Sequence, residues 1–290
     1  MANVLTEFVL HNLGAHGAIV EFDEGVDAML GSRPYPPDIR RLLGQAVAAM
    51  PLLAVHARYE GRLGLQFRGQ EGPLEMLVAQ VESGLRVRGM AKCAADAAGD
   101  FQALMQGGTL GLLIEPQAGA QNYQALVAVH GDSLAASLEH YFAQSEQLPT
   151  LLRLAWSPKR IAGLILQRLP LSELNSTEAN WEHIEHLFAT LGEEELAAEG
   201  AHTILRRLFH AEDLRVLEPR AVSLTCRCSR SGISAMLLSL GESELRDHLA
   251  EHHKIDVTCE FCGREYTFTE PDVDNLLLAA RMQPDSSQRH

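Results

Sequence analysis

Cys226-Arg227-Cys228 and Cys259-Glu260-Phe261-Cys262 hold four of the five cysteines in a chain of 290 residues. A CxC pair and a CxxC pair are separated by residues 229–258. Gly263, directly after the second pair, supplies the backbone freedom of a tight metal knuckle. Two close pairs brought together by the fold between them can set four thiolates at the corners of a tetrahedron, which is what a closed zinc site requires. Four thiolates are also four oxidisable groups. The spacing therefore points to a small metal-binding module and leaves open whether it serves as scaffold or sensor.

The rest of the chain frames that module. Its length exceeds the comfortable size of one core and predicts a large and a small domain. With 46% hydrophobic and 21% charged residues, the composition is that of a globular protein. No run is long and apolar enough to span a bilayer, and no Lys or Arg precedes Arg33, so neither membrane insertion nor a basic leader is expected. The cytoplasm is the expected compartment. Cysteines stay reduced there, and paired cysteines read as metal-binding or redox-active rather than as a disulfide framework. The net charge of −14 is uneven: within residues 173–224, 11 acidic residues face only Arg206, Arg207, Arg215 and Arg220. No part of the chain has the basic face that phosphate backbones need, which argues against nucleic acid as a partner.

Residues 1–172 predict a mixed α/β core. Strand-like runs fall at Leu5–Leu10, Ala18–Phe22, Leu63–Phe67, Leu85–Met90, Leu110–Ile114, Tyr123–Val129 and Leu151–Trp156, bounded by Gly-containing turns. Helical spacing appears over 38–56, with Ile39, Leu42, Leu43, Ala46, Val47 and Met50 on one stripe. It appears again over 133–144, after Asp132 as N-cap. Strands and helices do not alternate one for one, so the fold class is α+β rather than a doubly wound parallel sheet. Residues 173–224 read as an acidic helical linker with apolar stripes at Trp181–Leu191 and Ile204–Phe209; helices this short need tertiary contacts to persist. Residues 225–290 form the zinc-binding domain, preceded by strand-like Val222–Thr225. It has a helix over 243–252, strand-like Ile255–Thr258 and Tyr266–Phe268, and a final helix after Thr269. A unit of about sixty residues buries only a small core, so a metal is expected to help hold it together.

Other chemistry is weakly signalled. The CxxC does not open a helix after a strand, as a thioredoxin-like motif would. His252-His253 reads as a solvated helix end, since four thiolates already fill a zinc sphere. Cys93 has no partner cysteine near it in sequence and reads as a small, inert thiol. No P-loop, GxSxG or HExxH occurs, so neither a nucleotide site nor a catalytic site is expected. The rival reading is an enzyme of unknown reaction carrying a purely structural zinc domain.

Taken together, these residues resemble the heat shock protein 33 family of redox-regulated holdase chaperones. Val257-Thr-Cys-Glu-Phe-Cys-Gly-Arg-Glu-Tyr266 is similar to that family's final zinc knuckle, with the CxC at the family's distance before it. Tyr141-Phe-Ala-Gln-Ser-Glu-Gln-Leu-Pro-Thr150 and Gly163-Leu-Ile-Leu-Gln-Arg-Leu-Pro170 resemble its core motifs; Cys93 lies outside its pattern. The resemblance implies that Cys226, Cys228, Cys259 and Cys262 hold one zinc ion as thiolates when reduced. Oxidation then bridges Cys226–Cys228 and Cys259–Cys262, releases the metal, unfolds the small domain and frees the linker's stripes for unfolding client proteins. It further implies a non-enzymatic, ATP-independent holdase that dimerises when oxidised. A CxC bridge is strained where a CxxC bridge is not, so the distal pair is expected to oxidise first.

Overall fold

The computed structural model describes residues 3–31, 33–57, 61–116, 121–170 and 175–282. Residues 173–174 of the expected linker and 283–290 of the expected C-terminal domain lie outside them, as do a few core positions. The chain divides into two compact units, Met1–Thr225 and Cys226–His290.

The first unit is built around one helix between two sheets. The first sheet comprises β1 (Val4–Leu10), β2 (Ala15–Phe22), β8 (Thr150–Trp156) and β9 (Ile161–Arg168), with short β10 (Leu214–Val216) and β11 (Arg220–Ala221) paired to β1. The second runs in the order β12 (Ser223–Leu224), β5 (Arg86–Cys93), β4 (Leu74–Glu82), β3 (Gly61–Arg68), β6 (Thr109–Pro116), β7 (Tyr123–Val127). Every pairing in the two sheets is antiparallel except β12 with β5. Helices α1 (Val26–Leu30), α3 (Phe101–Leu104) and α4 (Leu134–Tyr141) sit at the edges, and α2 (Pro37–Ala57) packs against strands of both sheets. The expected stripe of α2 is buried, and so are Ala48, Ala49, Leu52 and Leu53, because a helix between two sheets has little free face. Gly163 permits the close approach: a Cβ there would come 2.8 Å from Leu52 Cδ1.

Four strands are unannounced in the sequence reading: the short β10 and β11, and the longer β4 and β9. β9 is buried along nearly its whole length, with Ile161 and Ile165 facing the α2 side and Ala162, Leu164 and Leu166 the other, so it shows no polar alternation. In β4 a register shift between Leu74 and Met76 breaks the period at its start. Helix α4 is capped by Ser133, whose hydroxyl accepts from Ala136 N at 3.1 Å, not by Asp132. The helix also ends at Tyr141, short of the expected 144, and the chain continues as a π turn over Phe142–Glu146 that closes on Gln147 at φ 53°. Tyr141 Oη donates to Glu146 at 2.7 Å, and Gln167 Nε2 donates to Thr150 Oγ1 at 3.0 Å. The two core motifs thus bond to each other across β8 and β9.

The described residues of the 173–224 segment belong to the first unit. Helices α5 (Glu178–Ala189), α6 (Glu193–Ala198) and α7 (Ala201–Phe209) lie on the face of the first sheet opposite α2. Trp181, Ile184, Phe188, Leu191, Leu196, Ile204, Leu205, Leu208 and Phe209 bury their side chains with Phe8, Leu10, Ile19, Leu164 and Leu166. Full burial of such a side chain stabilises by about 2 kcal/mol, so the apolar stripes hold these short helices in place. Thr177 caps α5, and Glu193, Glu194 and Glu195 lie in the first turn of α6, where the helix dipole favours carboxylates. Polar clamps add direction. The guanidinium of Arg160 donates to Asp23 Oδ1 at 2.5 Å and to the Glu199 carbonyl at 2.7 Å, while Glu21 Oε1 accepts from Ala201 N at 3.0 Å. Burial pushes Glu21 above the ordinary carboxylate range, against the pull of that amide and of Arg160.

At the far end of the segment, Glu212 accepts from Asn12 Nδ2 at 2.6 Å and bonds His183 Nε2 at 3.0 Å. Burial alone would raise its pKa, but the His183 and Asn12 bonds outweigh it and hold the carboxyl below the usual value. A carboxyl lowered on folding stabilises above its unfolded pKa and loses that contribution as pH falls through the folded value. The melting temperature of wild type is therefore expected to exceed that of Glu212→Gln at pH 7. The gap should close as pH drops below about 4. A gap that persists at full size well below the ordinary carboxylate range would contradict this.

The second unit contains α8 (Arg230–Leu240), α9 (Glu242–His252), the hairpin β13 (Lys254–Thr258) and β14 (Glu265–Thr269), and α10 (Glu270–Met282). Its core is small: Leu237, Leu245, Leu249, Ile255, Tyr266, Phe268, Val273 and Leu277. At the start of α10 the Thr269 N–H and hydroxyl both donate to Asp272 Oδ2. Helix α8 has no counterpart in the sequence reading, since it is rich in Ser and Gly and fully buries only Leu237.

Candidate metal centre

The four paired cysteines come from two short pieces of backbone. Cys226 and Cys228 stand in irregular chain just before α8, whose first turn is capped by Ser229 accepting from Gly232 N at 3.1 Å. Cys259 and Cys262 form the tip of the β13–β14 hairpin. There Cys259 N donates to Arg264 O and Gly263 N to Cys259 O, both at 2.9 Å, with Gly263 at φ 68°. That φ is the left-handed turn for which glycine is suited.

The four Sγ atoms all lie within 4.8 Å of one another. The Cys226–Cys259 and Cys228–Cys262 sulfurs are 3.6 and 3.4 Å apart. A tetrahedron with Zn–S bonds of about 2.3 Å has edges of about 3.8 Å, so the spacing fits a four-thiolate site. All four residues are half-buried. These cysteines can hold a metal ion, and an all-sulfur donor set suits a soft or borderline cation.

The thiols also perturb one another. Burial pushes Cys226 up to about 12, with Cys228, Cys259 and Cys262 adding to the rise. Burial acts the same way on Cys228, but hydrogen bonds from Tyr266 and from the other thiols outweigh it and take Cys228 down to about 7. Burial raises Cys262 as well. Four sulfurs this close cannot all ionise against their mutual repulsion unless a cation lies among them.

Several neighbours escaped the sequence reading. Tyr266 Oη donates to Cys228 Sγ at 3.1 Å. Arg230 sits over the Phe268 ring at 4.3 Å, donates to Thr267 O at 2.9 Å and pairs with Asp272 at 3.2 Å, which ties the CxC side to the hairpin. The aromatic residues following the CxxC were the available signal: of Tyr266 and Phe268, which share a face of the strand, only the tyrosine carries a hydroxyl, and the fold brings it to a sulfur. The other candidates take no part. His252 and His253 are exposed at the end of α9, and Cys93 sits at the end of β5 in the first unit, where burial and Glu75 raise its pKa.

The chain matches the family described as Hsp33 protein over residues 3–269. It is 35% identical over 288 residues to a protein called 33 kDa chaperonin from Methylobacillus flagellatus, covering 99% of this chain and 98% of that one. The protein of the same name from Chromobacterium violaceum is 38% identical over 275 residues, covering 94% and 92%. A crystal structure of 33 kDa chaperonin from Thermotoga maritima superposes with a TM-score of 0.82 at 22% identity, covering 98% of this chain and all of that one. The chain belongs to the Hsp33 family. Among the described residues, no helix is long and apolar enough to cross a membrane.

Proposed function

We propose that this protein is a cytoplasmic, redox-regulated holdase, with residues 1–172 as core, 173–224 as linker and 225–290 as switch domain. Cys226, Cys228, Cys259 and Cys262 are the ligands of one zinc ion and also the redox centre. The observation that carries the reading is the set of four sulfurs within 4.8 Å of one another on a unit with a core of only a few side chains. When bound, zinc supplies the positive charge that keeps all four sulfurs ionised.

Thiolate is the form that oxidants attack. One sulfur attacks a peroxide oxygen, the O–O bond breaks and hydroxide leaves, giving a sulfenic acid. The neighbouring thiolate then attacks that sulfur and expels a second hydroxide. Two protons convert the two hydroxides to water, and the pair has passed two electrons to one peroxide. Cys259–Cys262 bridges first and Cys226–Cys228 second, because the shorter ring is strained. Two bridges leave no thiolate to hold a cation.

The second unit then unfolds, while the chain leading into it stays held by the pairing of β12 with β5 and by the Thr225–Val87 bond. Helices α5–α7 remain docked on the first sheet by their buried stripe. Oxidation alone therefore does not free them, and heat or an equivalent destabilisation completes the release. The exposed stripes and the sheet face beneath them bind unfolding clients without nucleotide. The acidic linker keeps the opened state soluble, and the active form is a homodimer.

The test is client aggregation followed by light scattering at elevated temperature, with and without prior peroxide, while a chromophoric chelator reports zinc. Suppression is expected only after peroxide, in step with release of one zinc per chain. Zinc release without gained suppression would reduce the centre to a structural one.

A further inference from the structure

One hydroxyl in the second unit is aimed at a sulfur and has no other evident task. Tyr266 lies on β14 opposite Val257 on β13, with its ring buried in the small core, so packing fixes the direction of its phenol. The hydroxyl donates to Cys228 Sγ at 3.1 Å. The guanidinium of exposed Arg264 faces the same oxygen. A guanidinium only donates, so it cannot take the phenolic hydrogen from the sulfur. Outer-shell donors of this kind orient metal ligands and tune their reactivity.

We propose that Tyr266 is a positioning residue of the cysteine centre, whose O–H···S bond restrains Cys228 and so slows closure of the Cys226–Cys228 bridge. This rests on the reading of the four cysteines as a zinc-thiolate redox centre. The lone pair that accepts the phenolic hydrogen is the electron density that would otherwise attack an oxidant or an alkylating carbon. The bond therefore lowers the nucleophilicity of Cys228 without moving its backbone. Ring strain and this bond then act in the same direction, holding the CxC pair in reserve while the CxxC pair responds.

Tyr266→Phe keeps the ring and removes the hydroxyl. Zinc-loaded protein is treated with iodoacetamide, in which a cysteine sulfur displaces iodide from carbon, and each cysteine is followed by mass spectrometry. Labelling of Cys228 relative to Cys259 is expected to rise by about tenfold, the scale of one hydrogen bond to a charged group. Under peroxide, the lag between the two disulfides should shorten. In cobalt-substituted protein the thiolate-to-metal charge-transfer band should move to lower energy, a change that mere loosening of the fold does not produce. Arg264→Gln, an exposed change that leaves the tyrosine in place, should shift the labelling ratio the same way by less, and it keeps the proposal testable if Tyr266→Phe misfolds. An unchanged ratio and an unmoved cobalt band overturn the role of Tyr266. Wild-type protein that takes up neither zinc nor cobalt overturns the zinc reading itself, and the role of Tyr266 with it.

Discussion

Phe209→Ala should activate the protein without oxidant. Phe209 is buried in α7, with its ring centroid 5.9 Å from that of Phe8 on β1. Its neighbours in the cluster include Leu205, Leu208 and Ile184. Truncating a buried phenylalanine costs about 3–5 kcal/mol, comparable to the whole margin that holds a short helix onto a sheet. Reduced, zinc-loaded Phe209→Ala protein should suppress aggregation of a heat-unfolded client as wild type does only after peroxide. Trypsin should also cut it at Arg206 or Arg207, which the docked helix protects. A variant that melts lower yet stays protease-resistant and inactive would show that linker release is not the switch.

Stripping the metal should have an equally large effect, confined to the second unit. Its core is eight buried side chains, and structural zinc contributes on the order of 10–16 kcal/mol in domains of this kind. The ties around Arg230 do not replace that. Its stacking on Phe268 is worth about 1 kcal/mol, and its exposed pairing with Asp272 about as little. Hydrogen exchange is the measurement. After a strong chelator acts under reducing conditions, amides of β13, β14, α9 and α10 should lose protection while those of β2, β9 and α2 keep theirs. Persistent protection across 226–282 would mean that the unit stands without metal, and the signal would have to arise elsewhere.

The four-cysteine cluster was legible because its determinants are local in sequence: two close thiol pairs and a glycine where the turn needs a positive φ. The stripes of α5 and α7 were legible for the same reason, since helical spacing displays a face in a single window. What those faces rest on was not legible. The docking surface is assembled from Phe8, Ile19, Leu164 and Leu166 on three strands, and one of these, β9, hides its period because both of its faces are covered. β4 went unread because a bulge breaks its alternation at Leu74, and α8 because its fold depends on a single buried leucine. Tyr266 needed the hairpin register. Its pairing opposite Val257 on the hairpin, far in sequence from the CxC, is what carries the hydroxyl to Cys228.

The lone parallel pairing among the described residues of the first unit bears on how the molecule would reset. Ser223 and Leu224 pair with Arg86 and Val87, and Thr225 N bonds the Val87 carbonyl at 3.0 Å, directly ahead of the first knuckle cysteine. At the other end, the chain leaves the first sheet where β9 stops at Arg168. Helices α5–α7 therefore belong to a loop fastened at both ends. Such a loop gains less disorder on detaching than a free arm would, and its closure cost grows only by about 0.6 kcal/mol for each doubling of length. Its ends stay near the face it left, so the local concentration of that face remains high. While the fastenings at β10, β11 and β12 hold, a client bound as proposed would ride on a tethered loop, and re-docking would be an intramolecular return.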